Sequence, residues 1–188
     1  RQSGPGSSNI PSIVNNHGTE VASEIAYGPG GQGTAPGSRL VLLAAPQPED
    51  LFDALDWLAT QSNIAVLNLS LSLGDAAGTC DGDPSAGLWL PRIATLAAQN
   101  KVVVAASGNA GSRTFIGIPA CLSQVTAVAG TWACTAPPAQ KPPEPGCDAG
   151  AEFDRLWPGA STSLKVDTLA PAKPLQVPYL APGGPPGY

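Results

Sequence analysis

Four short, almost unbroken apolar runs constrain this chain more than any other feature: RLVLLAA at 39–45, IAVLNL at 64–69, KVVVAA at 101–106 and QVTAVA at 124–129. Runs of that length without polar alternation suit strands covered on both faces, the usual condition in a parallel sheet. Helix-like stretches separate them. Residues 48–61 open on proline, place Glu49 and Asp50 in the first turn, and carry Leu51, Ala54, Leu55 and Leu58 at helical spacing. Asp83 and Pro84, an N-cap followed by proline at the first helical position, announce a second helix through Leu88, Ile93 and Leu96 to Asn100. Pro91 requires that helix either to kink or to start late. A third helix starts near Asn16 and turns Val21, Ala22 and Ile25 inward. The alternation predicts an α/β fold: a doubly wound, mainly parallel sheet with helices on both faces and ligand sites at the carboxyl ends of the strands.

A length of 188 residues suits one domain. Its core is expected at about 13–131, since many of the 22 glycines and 21 prolines lie near the two ends. Residues 135–147 read as a proline-rich surface loop and 171–188 as a proline- and glycine-rich tail, neither able to build a core by itself. The net charge is −5 and there is no cluster of lysine and arginine, which disfavours nucleic acid as a partner. No apolar run approaches the roughly 18–20 residues that span a bilayer, and the first residues have neither the basic start nor the apolar stretch of a signal peptide. The absence of methionine points to a processed form or an excised fragment.

Cys80, Cys121, Cys134 and Cys147 match no zinc or thioredoxin spacing and have no histidine nearby to complete a metal site. They are expected to form two disulfides in a secreted protein. Spacing does not fix their connectivity; Cys80–Cys121 with Cys134–Cys147, which closes the proline-rich loop, is the first pairing to test.

His17, the only histidine, stands in NHGTEVA where a loop becomes a helix, a placement that leaves one edge of an imidazole free. By itself that is weak, because isolated histidines are commonly surface or capping residues. The stretch HGTEVASEIAYG nevertheless resembles the subtilase histidine motif, and the resemblance recurs in order. GTAPGS at 33–38 precedes the first apolar run, VLNLSL spans 66–71, VVVAASGNAG spans 102–111, and Ile118-Pro119-Ala120 leads into VTAVAG. DTLAP at 167–171 resembles, more weakly, the strand before the nucleophile. Order and spacing over about 16–131 identify the chain as similar to the subtilisin-like serine proteases, lacking segments at both ends.

The resemblance implies roles residue by residue. His17 is the general base. Asn109, where alone Gly108-Asn109 would read as a tight turn, is the side-chain amide that donates to the tetrahedral oxyanion. Ser70, Leu71 and Ser72 form one edge of a cleft that pairs with an extended peptide as an added strand. Ala106, Ser107 and Gly108 line the pocket for the residue before the scissile bond, with small side chains that leave room for a large apolar one. Ser72 stands where many subtilases have glycine, which alters the cleft edge or shifts the alignment to Ser72-Leu73-Gly74. Pro119 matches a family position that carries a cis peptide.

Two triad members have no match. Subtilase triads run Asp, His, Ser along the chain, and no aspartate precedes His17. The best imitation of Gly-Thr-Ser-x-Ala-x-Pro is Ser161-Thr162-Ser163-Leu164-Lys165-Val166-Asp167, in which glycine, alanine and proline are all replaced and a strand comes next. A serine without an oriented base is a poor nucleophile, so these residues alone are expected to be inactive. A non-catalytic module that binds extended peptides is the alternative. A nucleotide-binding domain is disfavoured, because GPGGQG at 28–33 comes after a helix rather than a strand. No cofactor is expected. Calcium stabilises many family members, but Asp75, Asp81 and Asp83 in one loop read as solvated or capping residues, and no metal is assigned.

Overall fold

The computed structural model describes residues 17–26, 33–45, 47–133 and 154–173, with two short strands near the C-terminus. The proline-rich loop, Cys134 and Cys147 lie outside the described residues. The chain divides into two units, one of residues 1–54 with 176–188, the other of residues 55–175.

In the first unit, helix α1 runs His17–Ala26 with Glu20 in its first turn, where a carboxylate complements the helix dipole. Its last carbonyls are closed by the chain that returns to it. Thr34 donates its backbone N–H (2.8 Å) and its hydroxyl (2.7 Å) to the Glu24 carbonyl, and Ala35 N–H donates to Ile25 (2.7 Å). Val21, Ala22 and Ile25 are only half-buried, and α1 holds no buried residue, so the inward stripe read from the sequence is shallower than expected. Burial of the Glu24 carboxyl pushes its pKa up.

Residues 39–45 depart further from expectation. They enter no sheet among the described residues, and Leu40, Val41, Leu42 and Leu43 are between 38% and 70% exposed. An apolar run becomes a strand only where a neighbour supplies the ladder and the cover, and no described strand does so here.

Helix α2, Pro48–Ala59, crosses the division between the units, with Glu49 and Asp50 in its first turn. Asp50 accepts from the Gln47 N–H at 3.1 Å, which tethers the helix start. Its later residues Leu55 and Leu58 are buried in the core of the second unit.

That unit is built on strands β1 (Val66–Leu69), β3 (Val102–Ala106), β5 (Thr126–Trp132) and β6 (Thr168–Lys173), ordered β1-β3-β5-β6 and parallel throughout. Strands β2 (Leu73–Ala76) and β4 (Ile116–Ile118) form a separate antiparallel pair, as do β7 (Tyr179–Leu180) and β8 (Pro186–Gly187) in the other unit. The connection from β1 to β3 carries a 3-10 turn, Pro84–Leu88, and helix α3, Leu90–Ala98, which packs on β3. Pro91 falls in the first turn of α3, so the helix starts late rather than kinking. Asp83 caps the 3-10 turn, accepting from Ser85 N–H at 2.8 Å.

The parallel strands are closed mainly on one face. Val103 and Ala105 in β3 and Ala127 and Ala129 in β5 are buried, with Ala105 paired to Ala127, while their neighbours along each strand stay half-buried or exposed. The parallel sheet with its helices is the α/β architecture expected from the sequence. Leu55, Leu58, Ile93, Leu96, Ile116, Leu122 and Val125 fill the core. Lys101, buried ahead of β3, donates to the Gln61 carbonyl and at 2.7 Å to that of Ile64, satisfying two carbonyls of the loop between α2 and β1. Pro171, which the sequence placed both at the end of the DTLAP strand match and at the start of the tail, belongs to β6, at the edge of the described sheet, where its missing N–H is tolerated.

Candidate active site

Strand β3 delivers Ala106, Ser107, Gly108 and Asn109 at its carboxyl end, the position expected for ligand loops in an open α/β sheet. Gly108 has φ +116°, a conformation that disfavours any side chain. The turn it opens is held by one residue far along the chain. Ser161 N–H donates to the Gly108 carbonyl at 2.8 Å, and its hydroxyl accepts from Ala110 N–H at 3.1 Å. Ser107, almost fully buried, donates its own hydroxyl to the Ser161 carbonyl at 2.6 Å. Bonds to Ser161 thus flank Asn109 on both sides, and Asn109 itself is exposed. A clamped backbone carrying an exposed amide suits a donor that must be aimed before charge develops.

The expected cleft edge adjoins this turn. Ser70, Leu71 and Ser72 are half-buried and link β1 to β2, and Ser70 accepts from the Asn68 side chain at 2.9 Å. A methyl group on Gly108 would lie 2.9 Å from Ser72 Oγ, so the edge and the end of β3 are in direct contact. Gly117, in β4, donates its N–H to the Ser107 carbonyl at 3.0 Å and joins the same cluster. The Ile118–Pro119 peptide bond is cis. Sequence reasoning missed Ser161 and Gly117 as parts of the site; nothing local signals Ser161, which meets Ala110 across 51 positions.

His17 is the first residue of α1, in the first unit, and is exposed. Ser163 lies in a turn, its hydroxyl accepting from Lys165 N–H at 3.2 Å, and the next element along the chain is strand β6. Lys165 bonds Asp167 at 2.6 Å and the Val125 carbonyl at 2.9 Å. That lysine holds the Asp167 carboxyl below its ordinary range, and Asp167 in turn accepts from Ala127 N–H at 2.8 Å. These bonds tie β6 to β5, a structural rather than a chemical task.

Cys80 and Cys121 form a disulfide with Cα atoms 5.3 Å apart, the first of the two pairings expected. Beside it, Asp81 accepts from the Ser123 hydroxyl (2.6 Å) and N–H (2.9 Å), bonds that lower its pKa. Asp81 and Asp83 are thus engaged in loop and capping bonds, and among the described residues no group of three or more His, Cys, Asp or Glu is placed to hold a metal ion. No described helix is long and apolar enough to cross a membrane.

The profile of the subtilase family matches residues 2–181, and the chain belongs to that family. No curated protein matches this chain. Among solved structures it is similar to a lanthipeptide protease (14% identity, TM-score 0.57, covering 88% of this chain and 44% of that one). It is also similar to the epidermin leader peptide processing serine protease EpiP from Staphylococcus aureus (17%, TM-score 0.59, 82% and 39%) and to the prenylagaramide maturation protease PagA (21%, TM-score 0.56, 83% and 51%). At these identities the likeness speaks for the fold. The chain spans between 39% and 51% of the length of these three proteins.

Proposed function

We propose that this chain contributes the general base His17 and the oxyanion donor Asn109 to a secreted serine endopeptidase that cuts extended peptides through a Ser/His/Asp triad. These 188 residues alone, with no aspartate ahead of His17 and no Gly-Thr-Ser, do not hydrolyse peptides. The observation that carries the reading is the turn at the end of β3, where Ser161 bonds both flanks of an exposed Asn109. A neutral amide there stabilises negative charge that appears only in the transition state. Ser70–Ser72 offer backbone to an incoming peptide beside that turn. A peptide substrate also accords with the named neighbours, one of which processes a leader peptide. The Cys80–Cys121 disulfide supports an oxidising, extracellular setting.

A non-catalytic peptide-binding module is the second reading, favoured by one observation: Ser163 sits in a turn before a strand, not at a helix start. The reading frame that encodes this chain separates the two. Asp-Ser/Thr-Gly ahead of residue 1 and Gly-Thr-Ser-x-Ala-x-Pro after residue 188 are expected; a stop codon directly after Tyr188 would refute the protease.

A further inference from the structure

Neighbouring glycines whose missing side chains would point into one space leave a slot there, and in this unit Gly108 and Gly117 are such a pair. The slot is not open. A methyl group on Gly108 would lie 2.9 Å from Ser72 Oγ, and one on Gly117 would overlap that same oxygen outright. Ser72 Oγ therefore rests on both glycines at once, in the space their missing side chains leave. Ser72 is half-buried, so the slot it fills borders accessible surface. Neither glycine can give way: Gly108 is held at φ +116° with its carbonyl bonded to Ser161, and Gly117 is buried with its N–H bonded to Ser107.

We infer that Ser72 is a specificity-determining residue: its hydroxymethyl group occupies the inner part of the pocket beside Asn109, so that the residue before the scissile bond must be small, such as alanine, glycine or serine. This rests on the proposed cleft between 70–72 and 106–108. It reverses the preference that the small side chains of Ala106, Ser107 and Gly108 alone would suggest. A methyl group adds little volume beside Ser72 Oγ. A benzyl group needs the same space and must displace the serine against two fixed backbones, and closely packed walls resist such insertion. Selection is thus made by exclusion rather than by attraction.

The test uses the 188-residue chain and two fluorescent tetrapeptides that differ only in a C-terminal alanine or phenylalanine, with affinity read by anisotropy. The wild-type chain should bind the alanine peptide roughly tenfold or more tightly than the phenylalanine peptide, the discrimination small volume differences give in a confined pocket. Ser72→Gly should bring that ratio to about one or below, and Ser72→Ala, which keeps the β-carbon and the backbone preference, should fall between. Near-ultraviolet circular dichroism verifies that each variant is folded. Equal or tighter binding of the phenylalanine peptide by wild type, or an unchanged ratio in both folded variants, overturns the role of Ser72 while leaving the cleft intact. Failure of every form to bind either peptide overturns the cleft reading itself, and this inference with it.

Discussion

Replacing Ser107 or Ser161 by alanine tests the clamp around Asn109, because the two hydroxyls make bonds of different worth. Ser107 Oγ donates to the Ser161 carbonyl at 2.6 Å, and both residues are at most 3% exposed. Ser107→Ala strands a buried carbonyl where water does not readily reach, at a cost of about 1–3 kcal/mol. Ser161→Ala removes the acceptor of the Ala110 N–H, but Ala110 is exposed and water replaces it, so the cost is about 0.5–1.5 kcal/mol. With a urea dependence of about 2 kcal/mol/M, the midpoints move down by roughly 0.5–1.5 M and 0.25–0.75 M respectively. Urea titration followed by tryptophan fluorescence reads this directly, since Trp89 and Trp132 are each 3% exposed in the folded unit. Hydrogen exchange at the Ala110 amide should quicken in Ser161→Ala more than in Ser107→Ala. A smaller midpoint shift for Ser107→Ala than for Ser161→Ala would mean that burial does not set the cost at this turn, and the clamp argument would fail.

The same geometry sets three other outcomes. Reducing Cys80–Cys121, or replacing both cysteines by serine, frees a loop of 41 residues and should lower stability by about 4 kcal/mol by loop-closure entropy, read as a drop in the urea midpoint. Asp167, with its pKa lowered chiefly by Lys165, contributes stability that is complete above its unfolded value of about 3.9 and is lost as pH falls through the lower folded value. The stability gap between wild type and Asp167→Asn should therefore shrink from about pH 6 to about pH 3; a gap that widens on acidification contradicts the assignment. A fluorophosphonate should leave Ser163 unlabelled in these 188 residues, as mass spectrometry would show, because it lies in a turn ahead of strand β6 and not at the helix start a subtilase nucleophile takes.

What the sequence revealed, and what it hid, divides along the range of the interactions. β1, β3 and β5 were legible because their apolar runs are self-contained, whereas Pro91 left α3 either to kink or to start late, and the helix takes the second course with Pro91 in its first turn. β2 and β4 were not, since LGDA and IGI carry neither an apolar run nor an alternation and pair only through tertiary contact. The run at 39–45 had the composition of a strand without a described partner to make it one. In the candidate site, ordered motifs singled out Asn109 and Ser72. Ser161 was not, because a serine that bonds a turn more than 50 positions away leaves no pattern in its own neighbourhood.

The kinetic effect of Asn109→Ala tests the central claim most directly. Measured on the protein with an aspartate-bearing strand and a nucleophile-bearing helix joined to this chain, kcat for a peptide with alanine before the scissile bond should fall by about 10²–10³, with KM changed little. That is the size such a donor carries in subtilisin, a member of the same family. A fall confined to KM with kcat intact would show that Asn109 binds the ground state alone, and an unchanged kcat would remove it from the oxyanion site.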